Sequence, residues 1–382
     1  MMGHYIRLDR LNGNLQFCIV LIGFMFFDNP INAQDNAPIG VMETIVKDVL
    51  KEDLRTTFEN QSSIEFKEKV ITRAESLANA KFADDSLLSI GPDSSITIDK
   101  FVYDPDKSIT DGAINLGKGF MRYASAKKGN NKLRLGSNAV TLTLRGTAVD
   151  IVNDRDITGI GVLDGTIEAD TGDRRLILPE GTFLMVGSSN PEGEILTEAP
   201  DVLISARDEA NSAARAGGTA LILSDYEYPE LPEGSKIIFD TEIGDITFCL
   251  AETIDQPIVS PIKNNMTGRS PFRVVSAAKQ PESNFAVVLA PFNNKRPVDV
   301  ASAKMGAPFY YGSLGLLSAP DGKRSQFIIS LNRYKSIDSQ YPIIGRAVNG
   351  LELLYELKMG SKIASDLGTI VVKSDGSCKD TN

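Results

Sequence analysis

The sequence predicts a mainly β protein with two domains. Between residues 37 and 189, short runs of alternating apolar and polar residues are separated by Gly, Asp and Asn. This pattern is typical of strands joined by tight turns, and residues 95–99, 139–144 and 174–178 are examples. The chain has 382 residues, which exceeds what a single hydrophobic core usually supports, so two domains with separate cores are expected.

The N-terminus has the layout of a secretory signal. Arg7 and Arg10 precede an apolar run at residues 17–27, and Ala33 is a small residue just before Gln34. A membrane anchor is the less favoured alternative, because a bilayer span takes about 20 apolar residues. We therefore expect residues 1–33 to be a signal peptide cleaved near Ala33, and the mature protein to be periplasmic or otherwise exported from a bacterium.

The balance of charges argues against nucleic-acid binding. The chain carries 50 acidic and 40 basic residues, a net charge of -10, and has no stripe of Lys and Arg that could follow a phosphate backbone. No later apolar run is long enough to span a membrane. We expect no nucleic-acid partner and no membrane span after the signal is removed.

The scarcity of histidine and cysteine excludes several kinds of active site. His4 is the only histidine and lies in the predicted signal peptide, so a Ser-His-Asp triad or a histidine metal site is excluded from the mature chain. Cys249 and Cys378 are too few for a cysteine-rich zinc site, and no metal is expected. These two cysteines either form a disulfide or remain unpaired thiols, and the sequence fixes no distance that decides between the alternatives.

Three motifs in the first part of the chain resemble the FecR family. They are GPDSSITIDKFVYDP at residues 91–105, KGFMRY at 118–123 and LRGTAVD at 144–150, in the family's order. The resemblance implies a FecR-like β domain over residues 37–200 that could bind an envelope protein partner. Known FecR sensors carry a cytoplasmic segment and a membrane helix ahead of this domain. Here only a signal peptide is expected ahead of the domain. Direct control of a sigma factor is therefore not expected.

The glycines of these motifs have a physical explanation. Gly91, Gly119 and Gly146 each lie where a strand begins or ends, where a positive φ or a close backbone approach would exclude a side chain. None of them opens an amphipathic helix, so a loop that cradles phosphate is not expected.

A helix and a linker are predicted at residues 201–235. The composition changes to Ala, Arg, Glu and Asp at residues 204–216, which indicates one short helix, and Gly217 with Gly218 is a typical helix stop. The segment that follows contains Pro229 and Pro232 among acidic residues and is typical of a linker. The domain boundary is therefore expected near residues 218–235.

Motifs after the linker resemble the cyclophilin family. PFRVV at residues 271–275 is similar to the family's F-H-R-V-I, and SQFII at 325–329 to its S-Q-F-F-I. Further similar segments are residues 237–241 and 244–248, 315–319, and 344–350. The resemblance covers residues 236–373 and leaves a tail at 374–382. It implies an eight-stranded closed β-barrel with two helices, near residues 261–265 and 350–357.

The resemblance also implies a peptidyl-prolyl cis-trans isomerase site. Prolyl isomerisation crosses an amide-resonance barrier of about 18–20 kcal/mol without proton transfer or a covalent intermediate. An arginine beside the proline can donate a hydrogen bond to the twisted amide, and Arg273 stands at the family's catalytic arginine position. The implied substrate-binding residues are Gln326, Phe327, Ile328, Ile337 and Tyr341. No cofactor or metal is implied.

Two of these assignments have simpler alternatives. Arg273 could be a strand arginine that faces solvent, and Phe327 could be plain barrel core, because aromatic residues on alternating strands are usually buried. The sequence also departs from the family, since residues 276–281 do not match its P-G-F-M-x-Q-G-G segment. Part of the expected pocket wall is therefore missing.

Two functions remain open from the sequence. The first is an exported isomerase that acts on proline-containing polypeptides and carries an accessory FecR-like domain. The alternative is an envelope interaction or signal-relay protein whose cyclophilin-like domain is catalytically degenerate.

Overall fold

The computed structural model describes residues 38–104, 109–126, 132–137, 139–252, 256–266, 272–277, 286–289, 292–293, 307–318, 321–333, 335–338, 340–359 and 367–378. The predicted signal peptide and its cleavage site lie outside these residues. Within them the chain is mainly β, as predicted, and it contains 25 strands and three α-helices. Residues 37–382 form one compact unit.

Residues 40–196, called the N-terminal part below, form a sixteen-stranded sheet. The strands are β1 (Gly40–Val46), β2 (Val49–Leu50), β3 (Ser63–Ile64), β4 (Lys69–Thr72), β5 (Leu77–Phe82), β6 (Leu87–Ile90), β7 (Ser95–Asp104), β8 (Ile109–Ala124), β9 (Lys132–Gly136), β10 (Thr141–Leu144), β11 (Ala148–Asp154), β12 (Ile157–Asp164), β13 (Thr166–Asp170), β14 (Arg175–Pro179), β15 (Phe183–Gly187) and β16 (Asn190–Leu196). The strands predicted from alternation correspond to β7, β10 and β14.

The long strand β8 organises the N-terminal part, because its two ends pair with different strands. Its first section pairs with β7 and, in parallel, with β9, whereas its last section pairs with β6 and β11. The change occurs at Gly119, which has a φ of +91° and where an added Cβ would lie 2.2 Å from Ser94 Oγ. The predicted need for glycine at this position is thus confirmed, but its predicted place at a strand end is wrong, because Gly119 lies inside β8. Both groups of strands contribute to one core that includes Met121, Leu142 and Ile151.

One helix, α1 (Asp201–Ala216), follows the last strand of the N-terminal part and lies against β11 and β12. It ends where the glycine pair predicts, but it begins three residues earlier than the change in composition indicates, because Asp201 stabilises the first turn through the helix dipole. The buried face consists mainly of alanines, among them Ala210 and Ala213, which allow a close approach to the strands.

Residues 235–377, called the C-terminal part below, form a nine-stranded sheet. Its strands are β17 (Ser235–Thr241), β18 (Gly244–Leu250), β19 (Phe272–Ala277), β20 (Ala286–Leu289), β21 (Phe292–Asn293), β22 (Ser313–Ser318), β23 (Arg324–Ser330), β24 (Ile343–Asn349) and β25 (Thr369–Ser377). Its helices are α2 (Gln256–Met266) and α3 (Leu351–Met359), which contain the two segments predicted as helical apart from Gly350.

The strands of the C-terminal part follow the order β20-β19-β25-β17-β18-β24-β22-β23-β21, and β20 pairs additionally with β23. Phe239 of β17 and Phe248 of β18 are buried with their ring centroids 4.8 Å apart, in the same hydrophobic core as Met121 and Leu142 of the N-terminal part. Ile258 and Ile262 of α2 are buried in the same core.

A disulfide joins Cys249 of β18 to Cys378 at the end of β25, with their Cα atoms 5.8 Å apart. Of the two alternatives that the sequence leaves open, the structure shows the bonded one. Within the described ranges, no helix is both long and apolar enough to cross a membrane.

Candidate functional site

Strand β23 divides three of the predicted site residues between two faces. Gln326, Phe327 and Ile328 are consecutive, and β23 pairs with β22 along this stretch. Since successive side chains of a strand point to opposite faces, Gln326 and Ile328 share one face and Phe327 lies on the other.

Phe327 is part of the interior core. Its side chain is 0% exposed, and its ring centroid lies 6.3 Å from that of Phe239. This placement agrees with the alternative of plain core packing, because a ring without exposed surface does not line a surface pocket. Ile328 is therefore the apolar residue of this strand that is placed to contribute to a pocket wall.

Three predicted residues meet on the other face in a group that we call the apolar cluster. Ile328 is buried together with Phe309, and Ile337 and Tyr341 are half-buried against this pair. Ile337 lies in the 3-10 turn Lys335–Ile337. The members of the cluster are Phe309, Leu317, Ile328, Ile337, Tyr341 and Ile343. The structure thus brings together residues that the resemblance assigns to one pocket.

Phe309 is the cluster residue that the sequence does not predict. It is 0% exposed and precedes β22 by a short loop. A Cβ added at Gly315 would lie 2.6 Å from the Phe309 ring and 2.8 Å from Ile328, so glycine is required for the ring to lie on this strand. A glycine inside an apolar strand is a sequence signal for such a close approach, but it does not identify the group that approaches.

The strand of Arg273 is placed by its backbone alone, because its side chain lies outside the described residues. Arg273 pairs with Thr369 of β25, and β20 joins β19 to β23 by pairing with both. One strand therefore separates the predicted catalytic residue from the strand that carries Gln326 and Ile328.

Tyr310 and Arg346 lie at the junction between the N-terminal and C-terminal parts. The Tyr310 ring packs on Gly181, where an added Cβ would lie 2.3 Å from the ring. Arg346 Nη2 donates to the Gly181 carbonyl at 2.7 Å, and the guanidinium lies 5.2 Å from the Tyr310 ring centroid. Burial disfavours the charged form of Arg346 and lowers its pKa to about 10, and its Nε and Nη1 have no hydrogen-bond partner among the described residues.

Further contacts extend this junction. Thr197 Oγ1 donates to the Ala347 carbonyl at 2.6 Å, and Arg174 Nη2 forms an ion pair with Glu352 at 2.6 Å. These contacts tie β16 and the turn before β14 to the C-terminal part.

A polar cleft of about 680 Å³ lies on the outer face of β9, β10 and β13 in the N-terminal part. Three arginines, Arg134, Arg145 and Arg175, share it with Glu168 and Asp170. Arg175 pairs with both carboxylates at 3.3 Å, so two of the cleft's acidic groups already have a cationic partner. The cleft offers positively and negatively charged hydrogen-bonding groups for contact with another polar surface.

No group of three or more metal-ligating side chains occurs among the residues that the structure describes. The described parts therefore give no candidate metal centre.

A family model matches part of the chain. Residues 68–168 match the family described as FecR protein, so a FecR domain lies within the predicted FecR-like region. No curated protein matches the chain.

Solved structures give weaker similarities. Two structures of a candidate anti-sigma factor from Parabacteroides distasonis are 12% identical, with a TM-score of 0.29, over 35% of this chain and 60% of theirs. The Mimivirus cyclophilin is 13% identical, with a TM-score of 0.22, over 39% of this chain and 90% of its own. The chain thus spans 60% of the length of the anti-sigma structures.

Proposed function

We propose that the protein is an exported envelope interaction protein, in which the FecR domain binds a protein partner and the C-terminal part is a peptide-binding module with little or no turnover. The observation that carries this proposal is the FecR family match at residues 68–168. The polar cleft on β9, β10 and β13 supports it, because it offers arginine, carboxylate and hydroxyl groups to a partner.

For the C-terminal part we propose the closed eight-stranded barrel that the resemblance implies. The support is the double pairing of β20 with β19 and β23, which connects the first strand of the order to the last but one and links eight strands in a ring. Low turnover is supported by Phe309, which lies against Ile328 where the pocket is expected, and by the mismatch at residues 276–281.

A second candidate is the isomerase itself. It is favoured by the meeting of Ile328, Ile337 and Tyr341 in one cluster, with Gln326 on the same face of β23. Under this candidate Arg273 would act on the prolyl amide, and proline-containing polypeptides would be the substrates.

A protease-coupled isomerisation assay separates the two candidates. The chain from Gln34 would be compared with Arg273→Ala, using a tetrapeptide with one prolyl bond. We expect the prolyl bond to isomerise at the uncatalysed rate in the presence of either protein. Catalysis by the wild type that is lost in Arg273→Ala would favour the isomerase and overturn the proposal of low turnover.

Partner binding is tested in cells with the full chain. A photo-crosslinking amino acid would replace Thr143 in the polar cleft, and Lys373 on β25 would be the control position. We expect a discrete envelope-protein adduct from position 143 and none from position 373.

Export and cleavage are tested by sequencing the N-terminus of the protein recovered from the periplasm. An N-terminus that does not begin near Gln34 would contradict the proposed export and cleavage.

A further inference from the structure

A chain of hydrogen bonds links Phe309 to the N-terminal part. The Phe309 backbone N–H donates to Asp338 Oδ1 at 2.8 Å, and Arg333 Nη1 donates to the Phe309 carbonyl at 3.4 Å. Arg333 also binds both oxygens of Asp338 at 2.7 Å, and its Nε donates to Glu180 Oε1 at 3.1 Å. Glu180 belongs to the turn between β14 and β15, so the hydrogen bonds that start at Phe309 reach a carboxylate of the other part. We call Glu180, Arg333 and Asp338 the clamp.

The clamp is shielded from water. The side chains of Arg333 and Glu180 are only 12% and 8% exposed, and that of Asp338 is 19% exposed. Burial alone would lower the pKa of Arg333, but the hydrogen bonds from Arg333 to Asp338 and Glu180 outweigh it and raise the pKa. Solvent screens these charges less than it screens exposed ones, and loss of one partner would leave the other charge buried and uncompensated.

Tyr310 fastens the same loop beside the clamp. Its ring lies on Gly181, with the Arg333 guanidinium 5.0 Å from the ring centroid. Lys335 adds two exposed contacts across the junction, to Asp164 at 2.9 Å and to Glu180 at 3.0 Å. Three kinds of contact therefore hold the segment that carries Phe309. They are the hydrogen bonds of the Phe309 backbone, the packing of the Tyr310 ring on Gly181, and the ion pairs of Lys335 in the nearby 3-10 turn.

We propose that the clamp holds Phe309 over Ile328 as an internal occupant of the apolar cluster, so that the FecR-containing part controls access to the peptide site of the C-terminal part. The proposal rests on the proposed peptide-binding function and adds its regulation. A bound partner that separates Glu180 from Arg333 releases Phe309 and exposes the face formed by Ile328, Ile337 and Tyr341. An apolar or prolyl side chain then takes the place of the phenyl ring.

The test follows the isoleucine δ1-methyl groups by NMR in the full chain, because the Phe309 ring shifts the methyl signal of Ile328. Phe309→Leu removes the ring but keeps an apolar side chain, and Glu180→Gln removes one of the two negative charges that hold Arg333, the one from the N-terminal part. Arg174→Gln is the matched control, since Arg174 also joins the two parts by an ion pair, with Glu352, at another place on the junction. We expect Phe309→Leu and Glu180→Gln to move the Ile328 signal and Arg174→Gln to leave it in place.

Peptide binding is then measured by titration with the same prolyl tetrapeptide. We expect Phe309→Leu and Glu180→Gln to bind at least tenfold more tightly than the wild type, and Arg174→Gln to bind as the wild type does. Equal binding by all four proteins would overturn the proposed role of the clamp, but it would agree with the proposed peptide-binding function. A moved Ile328 signal in Glu180→Gln without peptide binding by any variant would support the clamp's hold on Phe309 and overturn the peptide-binding function. An unmoved Ile328 signal in Glu180→Gln would overturn the clamp whatever the peptide does.

Discussion

Arg122 and Asp150 form a fully buried ion pair, in which Arg122 Nε and Nη2 donate to the two carboxylate oxygens at 2.6 and 2.7 Å. The side chains are 1% and 0% exposed. Tyr228 Oη also donates to Asp150 at 2.6 Å, and Arg122 Nη1 donates to the Leu223 carbonyl at 3.1 Å. Burial opposes the charge of Arg122, but the charge and hydrogen bonds of Asp150 outweigh it and raise the pKa of Arg122. One network thus ties β8, β11 and the segment after α1.

The first prediction concerns this pair. Arg122→Met leaves the Asp150 carboxylate buried without its cation, which is expected to lower the free energy of unfolding by about 3–5 kcal/mol. Arg175→Met is the control, because the side chain of Arg175 is 69% exposed and its loss should change the stability by less than about 0.5 kcal/mol. Urea unfolding measures both. Similar losses in the two variants would contradict a special role for the buried pair.

The second prediction concerns the disulfide between Cys249 and Cys378, which are 129 residues apart in the sequence. Closing so long a loop restricts the unfolded chain, so Cys378→Ser is expected to lose about 2–5 kcal/mol under oxidising conditions. Dithiothreitol should bring the wild type to the stability of the variant and leave the variant unchanged. A variant as stable as the oxidised wild type would show that the disulfide does not contribute to the free energy of unfolding.

The sequence predicts local features of this fold well. The alternation that indicates β7, β10 and β14 is a property of neighbouring residues, and the glycine stop of α1 lies at Gly217 as expected. The same alternation places Gln326 and Ile328 on one face and Phe327 on the other. The pocket role assigned to Phe327 follows from the family motif and not from this periodicity.

Non-local features could not be predicted in this way. Arg122 lies in a recognised motif, but a charged residue on a strand is ordinarily expected to face water. Its partner Asp150 is brought to it by the pairing of β8 with β11. Phe309 belongs to none of the motifs, and Glu180, which lies far from it in the sequence, is linked to it through Arg333.

The third prediction concerns pH. Asp53 accepts hydrogen bonds from the Thr56 hydroxyl at 2.7 Å and from the backbone N–H groups of Thr56 and Arg55 at 2.8 and 2.9 Å. The Thr56 hydroxyl is the largest cause that lowers the pKa of Asp53 from 3.8 to about 2. Because the folded state has the lower pKa, the stabilisation is complete above pH 3.8 and is lost as the pH falls towards 2.

Thr56→Val removes that hydroxyl, so the pKa of Asp53 is expected to rise towards its ordinary value. Thr56→Ser keeps the hydroxyl and should keep the low pKa. Carbon-13 NMR of the carboxylate during an acid titration measures both. A pKa in Thr56→Val that stays at the wild-type value would assign the shift to the backbone donors instead.

The fourth prediction separates backbone strain from contact at the junction. Gly181 and Gly172 have similar φ values of +79° and +88°. A Cβ added at Gly181 would lie 2.3 Å from the Tyr310 ring, whereas a Cβ added at Gly172 would have no atom within 4 Å. Gly172→Ala should therefore lose only the conformational cost of about 1–2 kcal/mol. Gly181→Ala should lose at least about 1 kcal/mol more, because Tyr310 must move from its place between the two parts.

A double variant tests the cause of that difference. Removing the ring with Tyr310→Ala should make the further change Gly181→Ala no more costly than Gly172→Ala, since only the positive φ then opposes the new side chain. Urea unfolding of the single and double variants gives the coupling between the two positions. If Gly181→Ala costs the same with and without the Tyr310 ring, the loss comes from the turn itself and the ring does not fill the space above Gly181.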